Sequence, residues 1–116
     1  MWRIAAMVVG VSLLLAGGAG AVDRPRYDVP PGYVRCPRAT AWNGFFKWAS
    51  ARHTTCRRTA AFMREYARAV RGPEMPLRVG GFRCRIRYWR DEQGDIYASR
   101  HSCRRGVVAV RFYGMV

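Results

Sequence analysis

Within 116 residues the chain carries 21 basic side chains against seven acidic ones, a formal charge of +14, and four cysteines. A chain of this length holds one small domain and excludes a multidomain enzyme, while a charge of this sign excludes cationic partners and points to anionic ones. The even cysteine count reads as a disulfide framework, because so small a domain cannot rely on its apolar core alone.

The chain opens like an export signal. Trp2 and Arg3 form a short charged n-region, Ile4 to Ala16 an apolar h-region, and Gly17 to Ala21 a stretch of small residues. Ala19-Gly20-Ala21 satisfies the A-x-A rule, which places cleavage after Ala21. The apolar run falls short of the roughly 20 residues that a spanning helix needs, and Asp23, Arg24 and Arg26 follow it at once. The expectation is a secreted protein with no transmembrane segment after cleavage; a retained anchor is the alternative. No cysteine lies near the cleavage site to carry a lipid. Removal of residues 1–21 leaves 95 residues at +13, with 19 arginines and the single lysine Lys47. Arginine grips phosphates and carboxylates bidentately and stacks on aromatics. The competing explanation of the count is compositional, since a chain rich in Arg, Ala, Gly and Val resembles the product of a GC-rich genome.

Residues 22–38 contain Pro25, Pro30, Pro31 and Pro37 and show little periodicity, so they are expected to form an extended lead-in pinned only at Cys36. The folded domain is expected over 39–116. Asn43-Gly44, between Thr40-Ala41-Trp42 and Phe45-Phe46-Lys47-Trp48, is a hairpin signal that places a short strand at about 45–49 and allows a partner before it.

The helix is the clearest element. Thr54 or Thr55 serves as N-cap, and Cys56, Ala60, Met63, Ala67 and Val70 repeat at helical spacing, with Phe62 and Tyr66 widening the stripe. Gly72-Pro73 ends it. Arg57, Arg58, Arg64, Glu65, Arg68 and Arg71 fall on the other face. On this register the Cys56 sulfur points toward the core.

Beyond a connection at 72–81 the period changes to two. Phe82, Cys84, Ile86 and Tyr88 alternate with Arg83, Arg85 and Arg87, the pattern of a strand with one wet face. A turn at Gln93-Gly94 within Asp91-Glu92-Gln93-Gly94-Asp95 sets Cys84 opposite Cys103 and Phe82 opposite Arg105. A second turn at Arg104-Arg105-Gly106 leads into Val107 to Tyr113, where Val108, Val110 and Phe112 face the core and Arg111 faces out. The expected fold is therefore α+β, one helix on a small antiparallel βαβββ-like meander.

The run TTCRRTAAFMREYARAV, then GGFRCRIRY, then SCRRGVVAVRF is similar to a class of uncharacterised small secreted four-cysteine proteins of actinobacteria. Their pattern is a helix opening with Cys and soon Ala, a Gly-aromatic-x-Cys strand, and a final Cys-x-x-Gly before a β-rich tail. The likeness spans about Phe45 to Phe112 and departs at Cys56-Arg-Arg-Thr-Ala60, where the alanine comes one step later. It implies a small secreted βαβββ-type domain and carries over no activity and no catalytic residue.

Cys36, Cys56, Cys84 and Cys103 allow three pairings. The hairpin register permits Cys84 with Cys103 and leaves Cys36 for Cys56, but directly opposed pairs are geometrically demanding. A helix-to-sheet bridge from Cys56 to Cys84 or Cys103 is the preferred arrangement. A metal site is not expected, because neither the cysteines nor the histidines stand at ligand spacing, and no cofactor is implied.

Chemistry finds little footing. His53 and His101 with Lys47, or Glu65 with a His and an Arg, are the residues a small secreted ribonuclease would use. Each has a plainer reading, His53 beside a helix cap and His101 as a hydrogen-bonded residue on a core-facing strand position. Ser50, Ser99 and Ser102 lack a nucleophile elbow, and Gly80-Gly81 leads into a strand rather than a phosphate-binding helix. The expectation is a monomer that is not an enzyme. Its candidate surface is an arginine grid of Arg83, Arg85, Arg87, Arg100, Arg104 and Arg111, with Trp89 at the margin and stacking from Trp89 or Tyr113. Such a surface suits nucleic acid, acidic cell-wall polymer or anionic headgroups. A protein-binding or inhibitor module is the third class.

Overall fold

Residues 23–116 are described by the computed structural model, so the expected signal segment lies outside the described residues. The elements follow in the order β1 (Val34–Cys36), β2 (Phe46–Arg52), α1 (Cys56–Ala69), β3 (Arg78–Val79), β4 (Phe82–Arg90), β5 (Ile96–Arg105) and β6 (Val108–Met115). The fold is α+β: six strands form one antiparallel sheet in the order β1-β2-β6-β5-β4-β3, and the helix packs across one of its faces. The expected meander is the centre, β4-β5-β6. The sheet is wider because β2 joins β6 and brings β1 with it, while the two-residue β3 extends the far edge.

Cys84 does stand opposite Cys103, and the register holds from Arg83↔Arg104 to Trp89↔Ala98 before shifting at Arg90. The turn between β4 and β5 is built on Asp91, whose Oδ1 accepts the amides of Gln93 and Asp95 at 2.9 Å each, while Gly94 supplies a φ of +87°. Asn43-Gly44 also turns as expected, both residues at positive φ as a type I′ turn requires. That turn closes only a single bridge, Ala41↔Phe46, and the partner of β2 is instead β1 at its other end.

The helix keeps its expected cap and corrects three other expectations. Thr55 is the N-cap, its hydroxyl accepting the Arg58 amide at 3.1 Å. The chain leaves helical geometry at Val70, before Gly72, and Arg71 Nη1 donates to the Arg68 and Val70 carbonyls. The buried stripe is Thr59, Phe62, Met63 and Tyr66, rotated from the one expected. The reason is size: Phe62 and Tyr66 take the core position and carry the smaller Ala60 and Ala67 toward the flank. Cys56, in the first turn, is exposed rather than core-facing.

The cysteine pairing is corrected with it. The bridges are Cys36–Cys56 and Cys84–Cys103; Cys56 reaches neither β4 nor β5, because the first turn of α1 lies over the β1 edge of the sheet. The opposed pair is accommodated because the Cys84 amide donates to Leu77 O at 2.8 Å, away from β5. That makes Cys84 and Cys103 a non-hydrogen-bonded pair, the closer of the two antiparallel spacings, and their Cα atoms stand 4.0 Å apart. The bridges close loops with sequence separations of 20 and 19. By chain entropy each is worth about 3 kcal/mol.

Between helix and sheet lies an aromatic core. Phe46 packs edge-on against Tyr66, His101 and Phe112, and Phe62 lies 4.3 Å from Phe82 between ring centroids. Ile86 is half-buried and Tyr88 exposed, because helix cover fades toward the far end of β4.

The lead-in is not pinned at Cys36 alone. It crosses the sheet face opposite the helix: Asp23 pairs with Arg87, Tyr27 donates its hydroxyl to Ala49 O and stacks on Trp48, and Gly32 lies beside the Arg52 side chain. A bulge in β2 with Trp48 at φ +57° turns that indole onto this outer face, against Tyr113 as well.

Candidate polyanion-binding face

Strand alternation places the six expected arginines on the outer face, and the antiparallel register arranges them in rows across β4, β5 and β6. The rows are Arg83-Arg104-Ala109, Arg85-Ser102-Arg111 and Arg87-Arg100-Tyr113. All six arginines line one groove of about 920 Å³, together with Ser102 of the central strand and Tyr33 of the lead-in. Among the described residues a single ion pair occurs, Arg87 with Asp23.

Three further arginines continue the lattice: Arg78 opposite Arg83, Arg52 opposite Ala109, and Arg35 beyond Ser50, which faces Arg111. Arg78 sits on a strand too short for any periodic signal, and the bulge at Trp48 breaks the alternation that would have placed Arg52. Ser102 enters the sequence reading only as a serine without a nucleophile elbow; the signal that could have placed it here is its parity with Arg100 and Arg104 on one strand.

Trp89 does not offer a stacking surface. It is buried with Ala98 and Tyr113 in a second apolar cluster, with Trp48 and Met115 against it, at the end of the outer face away from the groove. Tyr113 is buried there too. Arg87 lies over the Trp89 ring at 4.4 Å and Arg100 at 6.0 Å, so the indole holds two grid arginines in place instead of meeting a ligand. The aromatic side chain that lines the groove is the half-buried Tyr33.

His101 is fully buried on the helix side. Its Nδ1 lies 2.8 Å from the Tyr66 hydroxyl and its Nε2 2.7 Å from Ser99 Oγ, and Tyr66 donates to Pro76 O at 3.1 Å. One proton arrangement satisfies every group: Ser99 donates to Nε2, Nδ1–H donates to Tyr66, and Tyr66 donates to Pro76. Burial holds the imidazole neutral, with its pKa lowered to about 3, and raises that of Tyr66. The chain of bonds runs from Ser99 to the Pro76 carbonyl and places His101 within the core.

Two of the other candidate acid-base residues, His53 and Glu65, line one hollow. The hollow, of about 240 Å³, lies on the helix side, is lined by Arg58 and Arg105 as well, and is floored by Phe62 and Phe82. Arg105 is fixed there, donating to Gly80 O at 3.0 Å and lying over the Phe82 ring at 4.6 Å. Lys47 lies elsewhere, on β2 opposite Tyr113. The described residues contain no cluster of His, Cys, Asp and Glu able to hold a metal ion, and no helix among them is long and apolar enough to cross a membrane. Compared with protein-family models, with curated proteins and with solved structures, the chain matches none.

Proposed function

We propose that this protein is an exported, disulfide-stabilised binding domain that holds polyanions against its arginine-lined sheet face. The observation that carries the reading is the convergence of Arg83, Arg85, Arg87, Arg100, Arg104 and Arg111, from three strands, on one groove. Guanidinium forks suit phosphate and carboxylate oxygens. Two rows set arginines directly opposite one another, Arg83 with Arg104 and Arg87 with Arg100. Like charges so placed destabilise a sheet, and an anion in the groove relieves that repulsion. Export accords with two disulfides and no free cysteine.

The test is retention on heparin. Arg83, Arg85 and Arg87 changed together to Gln should leave both disulfides intact, abolish retention at moderate salt, and lower the salt slope of nucleic-acid binding by about 3. Retention equal to that of the parent protein removes this face from consideration. Cleavage of RNA at the hollow is a second reading, supported by His53 and Glu65 sharing it with two arginines. It requires that the oxidised protein cut RNA and that Glu65→Gln or His53→Ala stop it; inactivity of the parent protein across pH 4–9 ends that reading.

A further inference from the structure

We infer that the arginine face contains a discrete seat for one multiply charged phosphate group, a phosphomonoester or condensed phosphate, centred on Ser102. The inference rests on the polyanion reading and narrows it from a charged surface to a site.

Ser102 occupies the middle row of the middle strand. Its lateral neighbours are Arg85 and Arg111, its neighbours along β5 are Arg100 and Arg104, and two of its four diagonal neighbours are Arg83 and Arg87. Strand spacing of about 4.8 Å and a rise of about 3.4 Å per residue put all six Cβ atoms within roughly 8–9 Å of the serine. Every one of those six stems is long, and serine is short. The lattice therefore dips at Ser102, and the groove that all seven residues line stands over that dip. Its floor is a half-buried hydroxyl that makes no hydrogen bond to another described residue, and its walls are guanidinium groups with the Tyr33 side chain on the lead-in side.

The chemistry of such a seat selects its occupant. A carboxylate carries one charge on two oxygens and is satisfied by one or two forks. A phosphomonoester carries a charge of about −1.5 to −2 on three strong acceptor oxygens, and a condensed phosphate carries more. Among the described residues, Arg87 alone of the six has its guanidinium engaged by a protein carboxylate, that of Asp23. The remaining five exceed what a single carboxylate can use, and they surround the serine from both flanking strands, which suits the three oxygens and higher charge of a phosphomonoester better than the two oxygens of a carboxylate. A singly charged phosphodiester meets the rim and leaves the seat unsaturated.

Titration calorimetry with inorganic tripolyphosphate, using citrate as a carboxylate of comparable charge, tests the seat. Tripolyphosphate should bind with 1:1 stoichiometry at least tenfold more tightly than citrate. Ser102→Ile, which fills the dip at constant charge, should erase that preference, and Arg111→Lys, which keeps the charge but removes a fork, should weaken tripolyphosphate binding severalfold. The Arg64→Gln/Arg68→Gln double variant removes two charges from the solvent face of the helix and should keep the affinity within twofold. Equal affinity for the two anions overturns the seat, as does a preference that survives in folded Ser102→Ile; if that variant does not fold, Arg111→Lys decides alone. Stronger sedimentation with vesicles containing phosphatidic acid than with equally charged phosphatidylglycerol vesicles assigns the phosphate to a lipid headgroup. Tripolyphosphate preference with equal sedimentation on the two lipids, or none, assigns it to a soluble ligand. A parent protein that fails to stay on heparin refutes the polyanion reading itself, whereas heparin retention without phosphate preference refutes only the seat.

Discussion

Acid should unfold this domain through one residue. His101 has no exposed surface, and burial takes its pKa from the ordinary 6.5 to about 3. Between those values the unfolded chain binds a proton that the folded chain refuses, so stability is full above pH 6.5 and declines as the pH falls. One pH unit corresponds to about 1.4 kcal/mol, giving a loss of about 2 kcal/mol by pH 5 and about 4 kcal/mol by pH 3, where the folded imidazole is itself half protonated. The latter is comparable with the whole stability of a small domain. The assay is urea unfolding of the oxidised protein at pH 7.5, 6 and 5, a window above the range in which ordinary carboxylates titrate. His101→Phe keeps a ring against Phe46 and Phe112 and removes both nitrogens. It should start about 1–3 kcal/mol less stable at pH 7.5, because Ser99 loses its acceptor, and then stay flat to pH 5. If the parent protein loses no more stability than His101→Phe over that window, then the neutral buried imidazole is wrong.

Other expectations follow from the same contacts. Peptide mapping without reduction should recover Cys36 with Cys56 and Cys84 with Cys103; Cys84→Ala with Cys103→Ala should lower stability by about 3 kcal/mol, read by urea midpoint, and a negligible change would show that the bridge constrains little. A Cβ at Gly114 would lie 2.6 Å from the Phe45 ring and 2.8 Å from Ser99 Oγ, so Gly114→Ala should cost about 1–3 kcal/mol by overpacking, measured as a fall in melting temperature. Arg104→Gln relieves the repulsion with Arg83 and should raise stability by about 0.2–1 kcal/mol at low salt, a gain that should shrink at 1 M salt, where the screening length is about 3 Å. A gain independent of salt would point away from charge.

The parts of this fold that were legible in the sequence are those carried by local repetition. Arg83, Arg85 and Arg87 alternate with Phe82, Cys84 and Ile86 because a strand has two faces, and the tight turn at Asp91 to Asp95 fixes the register that brings Cys84 to Cys103. The six arginines of the groove were visible for the same reason. What escaped depends on pairing between distant segments. The lead-in shows no periodicity, yet Tyr27 and Asp23 hold it to the outer face through contacts with Trp48 and Arg87. The helix stripe was misjudged because spacing weighs Ala60 and Phe62 alike, whereas packing follows the larger side chain. Trp89 lies on the arginine face by parity and is buried all the same, because Trp48 arrives there through a bulge that no alternation announces.

The two faces of the sheet divide stability from charge. Phe46, Phe62, Tyr66, Phe82 and Phe112 fill the helix side and both disulfides bind elements together, while the outer face adds a smaller cluster of Trp48, Trp89 and Tyr113 at one end, so the cohesion of the fold does not rest on the arginine rows. That independence permits the outer face to hold arginine opposite arginine in two rows, an arrangement that works against the sheet at every ionic strength where the charges are felt. A compositional excess of arginine accounts for many arginines and equally for their presence on the helix, at Arg57, Arg58, Arg64 and Arg68. The proposed seat rests instead on position: the central residue of the lattice is a serine, and its same-face neighbours across both strands and along its own are arginines. Such a surface is at its least favourable when empty, and its repulsion falls when an anion enters.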